Sequence, residues 1–412
     1  MKTVFPARLE GDITIQPSKS VLHRLIICAA LATGESEIRN VLLSDDISTT
    51  LSALAAMGFC EYEIDKDRCV IRGGLQKPTE QVIDCGESGS TLRFLIPLAF
   101  DGQRRVFIGR GRLMQRPMLP YEKLFAKCGY CKTETGIEMC GTLRPGTFEL
   151  PGDVSSQFVS GLLYALPRLG RTSKIKVNGT LESAPYVALT RQCQALFGVN
   201  SIVMEKGFKV KGGQAYRPAD VCAEGDYSHA AFFAAAAAIG GNVTFRGLKK
   251  DSLQGDKAIF NIIQLMGADV KWDGNIVTVV HSSLKPVELD VSDIPDLVPV
   301  LAVLGCAANG KTKLLNAARL RFKESDRLHA MATELEKLGA NIVEYEDSLV
   351  INGTGELTGG QAHTHGDHRI AMALAVASCI AKEAILLDEP DVVKKSAPRF
   401  YEEFSQLGGR LR

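Results

Sequence analysis

The sequence predicts an α/β (α+β) protein of two similar lobes, each built from three βαβαββ repeats. Two observations support this prediction. Glycines that end apolar, helix-like stretches recur at separations of 71, 69, 69, 72 and 69 residues: Gly58, Gly129, Gly198, Gly267, Gly339 and Gly408. Between them the residue pattern is strand, helix, strand, helix, strand, strand. A near-constant period of this kind is typical of a repeated supersecondary unit.

The first three repeats occupy residues 17–224 and form the first predicted lobe. Repeats four to six follow in residues 225–412, but the last one ends without room for its closing hairpin. The two short strands predicted within residues 1–16 are therefore expected to complete the sixth repeat. The second lobe then comprises residues 1–16 and 225–412, and the two chain crossings are expected to act as a hinge.

The first helices of the repeats are predicted to lie inside the lobes. Residues 21–32 and 230–239 are apolar on nearly all sides, which is typical of buried helices. The sheets are then expected to cover the outside. The longest apolar run, residues 230–239, is far shorter than the roughly 20 residues that a membrane-spanning helix requires.

Composition restricts the functional class. The 48 basic and 47 acidic residues give a formal charge of +1, which predicts binding to neither nucleic acid nor a membrane surface. Eleven cysteines without framework spacing favour a reducing compartment. The first residues lack the apolar segment of a secretory signal, so we expect a cytoplasmic protein.

Polar residues recur at the predicted starts of the helices in every repeat. Those before the first helices lie at residues 18–20, 86–91, 155–157, 226–228, 293–296 and 366–369. Those before the second helices lie at residues 44–46, 116–117, 183–186, 254–256, 323–327 and 395–396. Serine, threonine and aspartate at such positions ordinarily cap the first turn, and capping is our interpretation of Ser44 and of Asp256 taken alone.

Capping does not explain the cations in these segments. The pattern places five of them at helix starts, where the macrodipole disfavours positive charge: Lys19, Arg116, Lys323, Arg369 and Lys395. Bound anions would reverse this cost, so the sequence predicts anion-binding sites. Arg24 lies one turn beyond Ser20 and can hold one phosphate with residues 18–20.

Cations from other repeats can clamp a second anion. This group comprises Arg116, Arg327, Arg369 and Lys395. Asp296 and Glu324 lie among these cations, where a carboxylate serves either as a structural ion pair or as a proton-transfer group. Lys19 and Lys323 can act as acids if crowding by other cations lowers their pKa.

With these residues collected, the chain resembles the 5-enolpyruvylshikimate-3-phosphate synthase (EPSP synthase) family. The matching motifs occur along the whole length in the family's order: PSKSVLHR, GESGSTLR, LMQRPM, DVSSQ, LESAPY, AEGDYS, QGD, DIPD, KESDRL, GDHR and KKSAP. The resemblance implies the enolpyruvyl transferase fold, an inside-out α/β barrel with the active site between the lobes. It further implies a monomer that needs no metal or other cofactor.

The resemblance also implies a reaction. The enolpyruvyl group of phosphoenolpyruvate is transferred to the 5-hydroxyl of 3-phosphoshikimate with release of phosphate. Transfer proceeds by addition and elimination through a tetrahedral intermediate. The reaction belongs to the shikimate pathway, which leads to chorismate and the aromatic amino acids.

Site residues follow from the resemblance position by position. Those implied for 3-phosphoshikimate are Lys19, Ser20, Arg24, Ser155, Ser156, Gln157, Ser183, Tyr186, Asp296 and Lys323. Those implied for phosphoenolpyruvate are Lys19, Gly89, Arg116, Gln157, Arg327, Arg369 and Lys395. The implied catalytic residues are Lys19, Asp296, which takes the proton of the 5-hydroxyl, and Glu324, which moves protons at the methylene carbon.

The sequence departs from the family pattern at several positions. The differing residues are His23, Glu87, Phe94, Arg319 and Ala397. They put inhibitor sensitivity and substrate affinity in doubt, and leave the implied reaction unaffected.

Rival interpretations rest on weaker patterns. Residues 305–312 match the P-loop pattern of nucleotide-binding proteins, but a helix-like stretch precedes them and a strand-like one follows, which is the reverse of a real P-loop. UDP-N-acetylglucosamine enolpyruvyl transferase shares the fold, but its loop cysteine has no counterpart in residues 109–120. A binding protein without activity is disfavoured because both carboxylates and all the cations are present.

Two groups of residues suggest metal sites. They are Cys128, Cys131 and Cys140 in one group, and His363, His365, Asp367 and His368 in the other. Neither has a complete set of ligands at a recognisable spacing, so we expect no metal.

Overall fold

The computed structural model describes residues 1–75 and 80–412, which divide into two compact units. Unit 1 comprises Met1–Ser18 and Glu224–Arg412, and unit 2 comprises Lys19–Ala223. Each unit buries a contiguous hydrophobic core of its own. None of the helices in the described part of the chain combines the length and the apolar character that crossing a membrane requires.

The described residues form twelve α-helices, which fill the two helical positions of the six repeats. In chain order they are α1 (Lys19–Leu31), α2 (Asp45–Ala56), α3 (Gly89–Leu95), α4 (Leu119–Phe125), α5 (Ser156–Ala165), α6 (Ala184–Leu196), α7 (Tyr227–Gly240), α8 (Ala258–Leu265), α9 (Val298–Ala307), α10 (Arg327–Lys337), α11 (His368–Ala377) and α12 (Phe400–Gln406). The odd-numbered helices are the buried ones. In α11 all ten residues are buried, whereas α8 buries only one face.

The strands pair into six four-stranded sheets within residues 1–75 and 80–412. They are β1 (Lys2–Phe5), β2 (Glu10–Thr14), β3 (Gly34–Arg39), β4 (Cys60–Asp65), β5 (Arg68–Gly73), β6 (Val82–Asp84), β7 (Arg105–Ile108), β8 (Tyr130–Lys132), β9 (Ile137–Met139), β10 (Thr147–Pro151), β11 (Ser173–Asn178), β12 (Ile202–Met204), β13 (Gly207–Val210), β14 (Val221–Cys222), β15 (Asn242–Arg246), β16 (Asp269–Asp273), β17 (Ile276–Val280), β18 (Glu288–Asp290), β19 (Asn309–Leu315), β20 (Asn341–Glu344), β21 (Leu349–Thr354), β22 (Gly360–Ala362), β23 (Ile385–Leu387) and β24 (Arg410–Leu411).

All six sheets have the same topology. In the second repeat the order is β6-β7-β9-β8, with the first pair parallel and the others antiparallel. The third and fifth repeats follow the same order with consecutive strands of their own, β10 to β13 and β18 to β21. The βαβαββ repeat predicted from the sequence is therefore confirmed.

Three repeats take a strand from a distant part of the chain. Strand β1 pairs antiparallel with β23 and β24 and completes the sixth repeat, as predicted. Strand β2 instead lies parallel to β15 and is the first strand of the fourth repeat, so the prediction that both N-terminal strands complete the sixth repeat is wrong for β2. The fourth repeat needs this strand because β14, which directly precedes it in the chain, pairs with β3 of the first repeat.

The six repeat glycines share a backbone conformation that explains their recurrence. Their φ angles lie between 75° and 111°, in the left-handed region where other residues are strained. At Gly129 a Cβ atom would also lie 1.8 Å from the carbonyl oxygen of Cys140. These glycines end the second helix of each repeat and turn the chain into the hairpin.

Capping is selective among the polar residues at the helix starts. Five side chains accept a hydrogen bond from the first turn of their helix: those of Ser88, Ser155, Asp226, Asp326 and Asp367. Ser44 precedes α2, but its hydroxyl makes no capping bond among the described residues. Asp256 lies inside a short 3-10 helix and accepts a bond from the hydroxyl of Ser228. The capping interpretation is therefore wrong for both.

Candidate functional site

The start of α1 in unit 2 holds the lysine for which contact with both substrates is predicted. Lys19 is the first residue of the helix, and its Nζ lies 2.8 Å from Oδ2 of Asp46. Asp46 is itself buried. Asp46 was missing from the predicted site residues, although it ends the polar segment at residues 44–46. The ion pair fixes the ammonium group at the N-terminal end of α1.

Arg24 joins the first turn of α1 to α6. Its Nη1 donates to the carbonyl oxygen of Ser20 at 2.7 Å, and its Nη2 donates to that of Tyr186 at 3.0 Å. Its Nε donates to Oγ1 of Thr190 at 2.9 Å. The structure thus brings together Ser20, Arg24 and Tyr186, which were predicted to hold the same phosphate-bearing substrate.

Ser155, Ser156 and Gln157 lie at the start of α5. Ser155 Oγ accepts a bond from the backbone N–H of Gln157 at 3.3 Å, so its side chain is already ordered by the helix. Ser183, directly before α6, has a φ of 56° and a ψ of 35°. A non-glycine residue in this left-handed conformation is strained, and such strain is frequent at binding sites.

A second group in unit 2 surrounds Gly89, the first residue of α3. A Cβ atom at this position would lie 2.7 Å from Nη1 of Arg116 and 3.8 Å from Oε1 of Gln157. Gln157 is held by Ser90, to whose Oγ it donates at 3.0 Å, and by Arg93, which donates to it at 2.8 Å. The structure therefore brings Gly89, Arg116 and Gln157 together. Arg93 was missed by the sequence analysis, although it ends the GESGSTLR motif.

In unit 1, one buried guanidinium bonds three carboxylates. Arg327, at the start of α10, has 1% of its side chain exposed. Its three nitrogens bond Asp296 Oδ1 at 2.8 Å, Glu324 Oε2 at 2.9 Å and Asp367 Oδ2 at 2.8 Å. Asp367 also caps α11. The sequence analysis had grouped Asp367 with the histidines, so its pairing with Arg327 was missed.

Asp296 in turn lies among three cations. Besides Arg327, Arg369 Nη2 is 3.1 Å from its Oδ2 and Lys323 Nζ is 3.5 Å from its Oδ1. Burial raises the pKa of Asp296, but Arg369, Lys323 and Arg327 together outweigh this effect and hold the pKa well below its usual value. These three cations therefore hold Asp296 in its ionised form.

Lys323 has a lowered pKa, and the largest cause is its burial. Asp296 opposes this effect, while Arg327 and Arg319 add to it. The predicted crowding by cations is thus a secondary cause. A lysine with a lowered pKa gives up its proton more readily near neutral pH.

The predicted location of the cations at helix starts is only partly right. Lys19 and Arg369 lie in the first turns of α1 and α11. Arg116, Lys323 and Lys395 instead lie at the carboxyl ends of short 3-10 helices that precede the second helices, so the prediction is wrong for these three. The macrodipole does not disfavour them there. Lys395 nevertheless has only 6% of its surface exposed, which is unusual for a lysine.

The P-loop interpretation does not fit the structure. Gly305 lies within helix α9, and Lys311 and Thr312 lie in strand β19, so a helix leads into a strand. The histidine group also has other partners: His363 pairs with Asp388 and His365 with Glu334, each at 2.8 Å. Across residues 1–75 and 80–412, no cluster of three or more possible metal ligands occurs.

The family comparison fits these arrangements. A family model described as EPSP synthase (3-phosphoshikimate 1-carboxyvinyltransferase) matches residues 5–404. The chain belongs to the EPSP synthase family. The resemblance inferred from the motifs is thereby confirmed. The substrate-binding residues predicted from it remain predictions.

Similar relatives carry the same enzyme name. A 3-phosphoshikimate 1-carboxyvinyltransferase from Clostridium perfringens is 43% identical over 420 residues, which cover 99% of this chain and 98% of the relative. One from Clostridioides difficile is 43% identical over 426 residues, covering 99% and 97%. Both alignments thus run along nearly the full length of this EPSP synthase family member.

Solved structures confirm the predicted fold. An EPSP synthase from Acinetobacter baumannii matches with a TM-score of 0.83 and 26% identity, covering 100% of this chain and 99% of the other. The enolpyruvyl transferase NikO from Streptomyces tendae matches with a TM-score of 0.80 at 17% identity, covering 100% and 98%. At that identity the second likeness concerns the fold alone.

Proposed function

We propose that this chain is a 3-phosphoshikimate 1-carboxyvinyltransferase, which transfers the enolpyruvyl group of phosphoenolpyruvate to 3-phosphoshikimate and releases phosphate. Membership of the EPSP synthase family and the names of the full-length relatives support the substrates. The geometric support is the group around Asp296, where an ionised carboxylate lies 3.5 Å from a lysine of lowered pKa. A base and an acid in proximity suit a reaction that both removes and adds a proton.

The proposal assigns 3-phosphoshikimate mainly to unit 2. Lys19, Ser20 and Arg24 would bind its phosphate with the serines of residues 155–156 and Ser183. Gln157 and Tyr186 would contact the ring. This assignment is supported by the way Arg24 ties Ser20 to Tyr186, because pre-positioned donors lose little entropy on binding. Asp296 and Lys323 of unit 1 would bond the ring hydroxyls.

The proposal assigns seven residues to phosphoenolpyruvate. They are Lys19, Gly89, Arg116, Gln157, Arg327, Arg369 and Lys395. Arginine suits both ends of this substrate because its planar donors bond carboxylate and phosphate groups in pairs. Gly89 is required because Arg116 occupies the space that a side chain would fill.

The proposed reaction has two steps that balance in atoms and protons. In the first, the 5-hydroxyl oxygen bonds to C2 of phosphoenolpyruvate, its proton passes to Asp296, and C3 gains a proton. In the second, C3 gives its proton back, the C2–C3 double bond forms again, the C2–O bond to phosphate breaks, and the proton held by Asp296 leaves with the phosphate. Glu324 and Lys19 are proposed to exchange the protons at C3 and to stabilise the departing phosphate.

The proposal extends to the state of the protein in the cell. All eleven cysteines are free thiols in the structure, which supports action in the reducing cytoplasm. A monomer is proposed from the resemblance to the family. Sedimentation analysis of the purified protein tests the monomer directly.

Phosphate release is the experiment that tests the proposed function. We expect phosphate to appear from phosphoenolpyruvate only when 3-phosphoshikimate is present, in equal amounts with the enolpyruvyl product. Shikimate without its phosphate and UDP-N-acetylglucosamine serve as control acceptors. Release that is independent of 3-phosphoshikimate, or that depends on UDP-N-acetylglucosamine, would contradict the proposal.

A further inference from the structure

A line of buried side-chain hydrogen bonds in unit 2 runs from α1 through α2 to α3. Nδ1 of His23 lies 2.7 Å from Oγ1 of Thr50, which lies 2.6 Å from Oγ1 of Thr91. Oγ1 of Thr91 donates to Oγ of Ser88 at 2.7 Å. All four residues are 1% exposed or less. The line therefore connects three helices through the core of the unit without contact with solvent.

The number of hydroxyl protons limits which groups can donate in this line of hydrogen bonds. Each hydroxyl has one proton to donate. Thr91 donates to Ser88, and the single proton of Thr50 has two acceptors in reach, the carbonyl oxygen of Asp46 at 3.1 Å and Oγ1 of Thr91 at 2.6 Å. Donation to either of them leaves Nδ1 of His23 as the donor to Thr50. This arrangement favours the tautomer of His23 with a proton on Nδ1.

The two ends of the line lie next to residues already assigned to different substrates. His23 is adjacent in sequence to Arg24 and lies one helical turn from Lys19 and Ser20. Ser88 caps α3 by accepting the backbone N–H of Thr91 at 3.2 Å, and Gly89 follows it directly. The position of Ser88 thus fixes the first turn of α3.

A second contact joins the same helices. The rings of His23 and Phe94 meet edge to face, with centroids 6.5 Å apart, and the guanidinium of Arg24 lies 5.3 Å from the centroid of the Phe94 ring. Phe94 belongs to α3 and is 1% exposed. Movement of α1 therefore acts on α3 both through this ring and through the hydrogen bonds.

The packing at Gly89 leaves little room for independent movement of α3. A Cβ atom there would lie 2.7 Å from the Arg116 guanidinium, so the backbone already lies close to that side chain. A small shift of the Ser88 cap must change the distance between Gly89 and Arg116. Close-packed interiors transmit such shifts because they have few voids to absorb them.

We propose that His23, Thr50, Thr91 and Ser88 form a positioning relay that couples binding of the ring phosphate at α1 to binding of phosphoenolpyruvate at Gly89. His23 is a positioning residue, since it acts through Thr50 rather than on a substrate. This inference rests on the proposed function, because that function assigns the two substrates to the two ends of the relay.

Equilibrium binding of phosphoenolpyruvate measures the coupling. The probe is 5-deoxy-3-phosphoshikimate, which lacks the attacking hydroxyl and cannot react. In the wild-type protein we expect this probe to tighten phosphoenolpyruvate binding. Thr50→Val removes the hydroxyl at nearly constant volume, and we expect it to reduce the tightening by about fivefold. Thr50→Ser keeps the hydroxyl and should restore it.

Two further variants keep the test decisive. Thr91→Val breaks the relay at another position and should have the same effect if Thr50→Val does not fold. Thr312→Val is the matched control, because Thr312 is equally buried but its hydroxyl has no partner among the described residues. It should leave the coupling unchanged. Nitrogen-15 spectra should show His23 protonated on Nδ1 in the wild type, with that signal lost in Thr50→Val.

The outcomes separate the relay from the proposed function. Wild-type coupling in Thr50→Val and Thr91→Val, with only a lower melting temperature, would show a merely structural role and overturn the relay. Coupling absent from an active wild-type enzyme would overturn it as well. Failure of the proposed function would appear differently, as a wild-type protein that releases no phosphate from the two substrates.

Discussion

The two units prepare their binding groups in opposite ways. In unit 1, Arg327 and Asp296 lie within a compact set of opposite charges that bond one another directly. In unit 2, Arg24 is held by a hydroxyl and two backbone carbonyls, and Gln157 is held by the hydroxyl of Ser90 and the guanidinium of Arg93. Charges bond one another around Arg327, whereas neutral groups orient Arg24, and the ion pair of Lys19 with Asp46 is the exception in unit 2.

This difference suggests a division of labour. A network of ion pairs contains the ionisable groups that can exchange protons with a substrate. Neutral hydrogen bonds hold a side chain in one geometry and favour recognition of shape. We therefore expect changes in unit 1 to affect turnover most, and changes in unit 2 to affect affinity most.

The largest expected effect is that of Asp296→Asn in unit 1. The amide cannot accept the hydroxyl proton, so we expect kcat to fall by about 1,000-fold, within the range that general acid–base groups contribute. Steady-state kinetics with both substrates saturating measures this. Asp269→Asn, which alters an exposed ion pair with Lys271, is the control and should retain kcat. A near wild-type kcat in Asp296→Asn would contradict the proton role of Asp296.

The unit 2 counterpart is Gly89→Ala. The added methyl group would lie 2.7 Å from Arg116 Nη1, so the guanidinium must move. We expect the KM for phosphoenolpyruvate to rise by about tenfold or more, since a charged hydrogen bond contributes about 1.5–3 kcal/mol. The KM for 3-phosphoshikimate should change much less. Gly170→Ala, at a glycine with nothing within 4 Å, is the matched control. An unchanged phosphoenolpyruvate KM would refute the assignment of this substrate to Gly89.

A third expected effect concerns the stability of unit 1 and its dependence on pH, and leaves the kinetic constants aside. Burial and the nearby charge of Asp296 raise the pKa of Asp256 from 3.8 to about 6. A raised folded-state pKa gives stability that is present below pH 4 and lost as the pH rises through 6. The shift corresponds to about 3 kcal/mol. We expect Asp256→Asn to flatten this dependence in urea unfolding.

Asp388→Asn is the control for that measurement. The pKa of Asp388 is lowered to about 2, because bonds from Thr364 and His363 outweigh its burial. Its contribution is present above pH 4 and is lost only as the pH falls through 2, so this variant should keep the wild-type slope between pH 4 and 6. An equal slope in wild type and Asp256→Asn would contradict the predicted protonation of Asp256.

The repeat was predictable from sequence because its signals are local. A glycine in left-handed conformation must end each second helix, so the period is visible in the residues themselves. The places of β2 and β14 were not predictable in this way. Such short strands have too few residues for their pattern to predict which strand they pair with. Their pairing depends on contacts between distant parts of the chain.

The candidate site was predictable as a set of residues but not as a set of contacts. Motif positions gave Asp296, Glu324 and Arg327, whose proximity the structure shows. Asp367, the third carboxylate that bonds Arg327, was assigned to the histidine group. The reason is that the sequence gives no distance between helices α10 and α11. Local rules also misplaced Lys395, since it is the last residue of a 3-10 helix and residues 396–399 separate it from α12. The substrate roles of all these residues remain predictions.

The division of labour between the units is the central claim, and one pair of variants tests it most directly. Calorimetry and kinetics on Ser20→Ala and Glu324→Gln give affinity and turnover side by side. We expect Ser20→Ala to weaken 3-phosphoshikimate binding by about tenfold while kcat at saturation changes little. Glu324→Gln should keep that affinity within about twofold and lose about 100-fold or more in kcat. The reverse pattern, or equal losses of both quantities in both variants, would contradict the account.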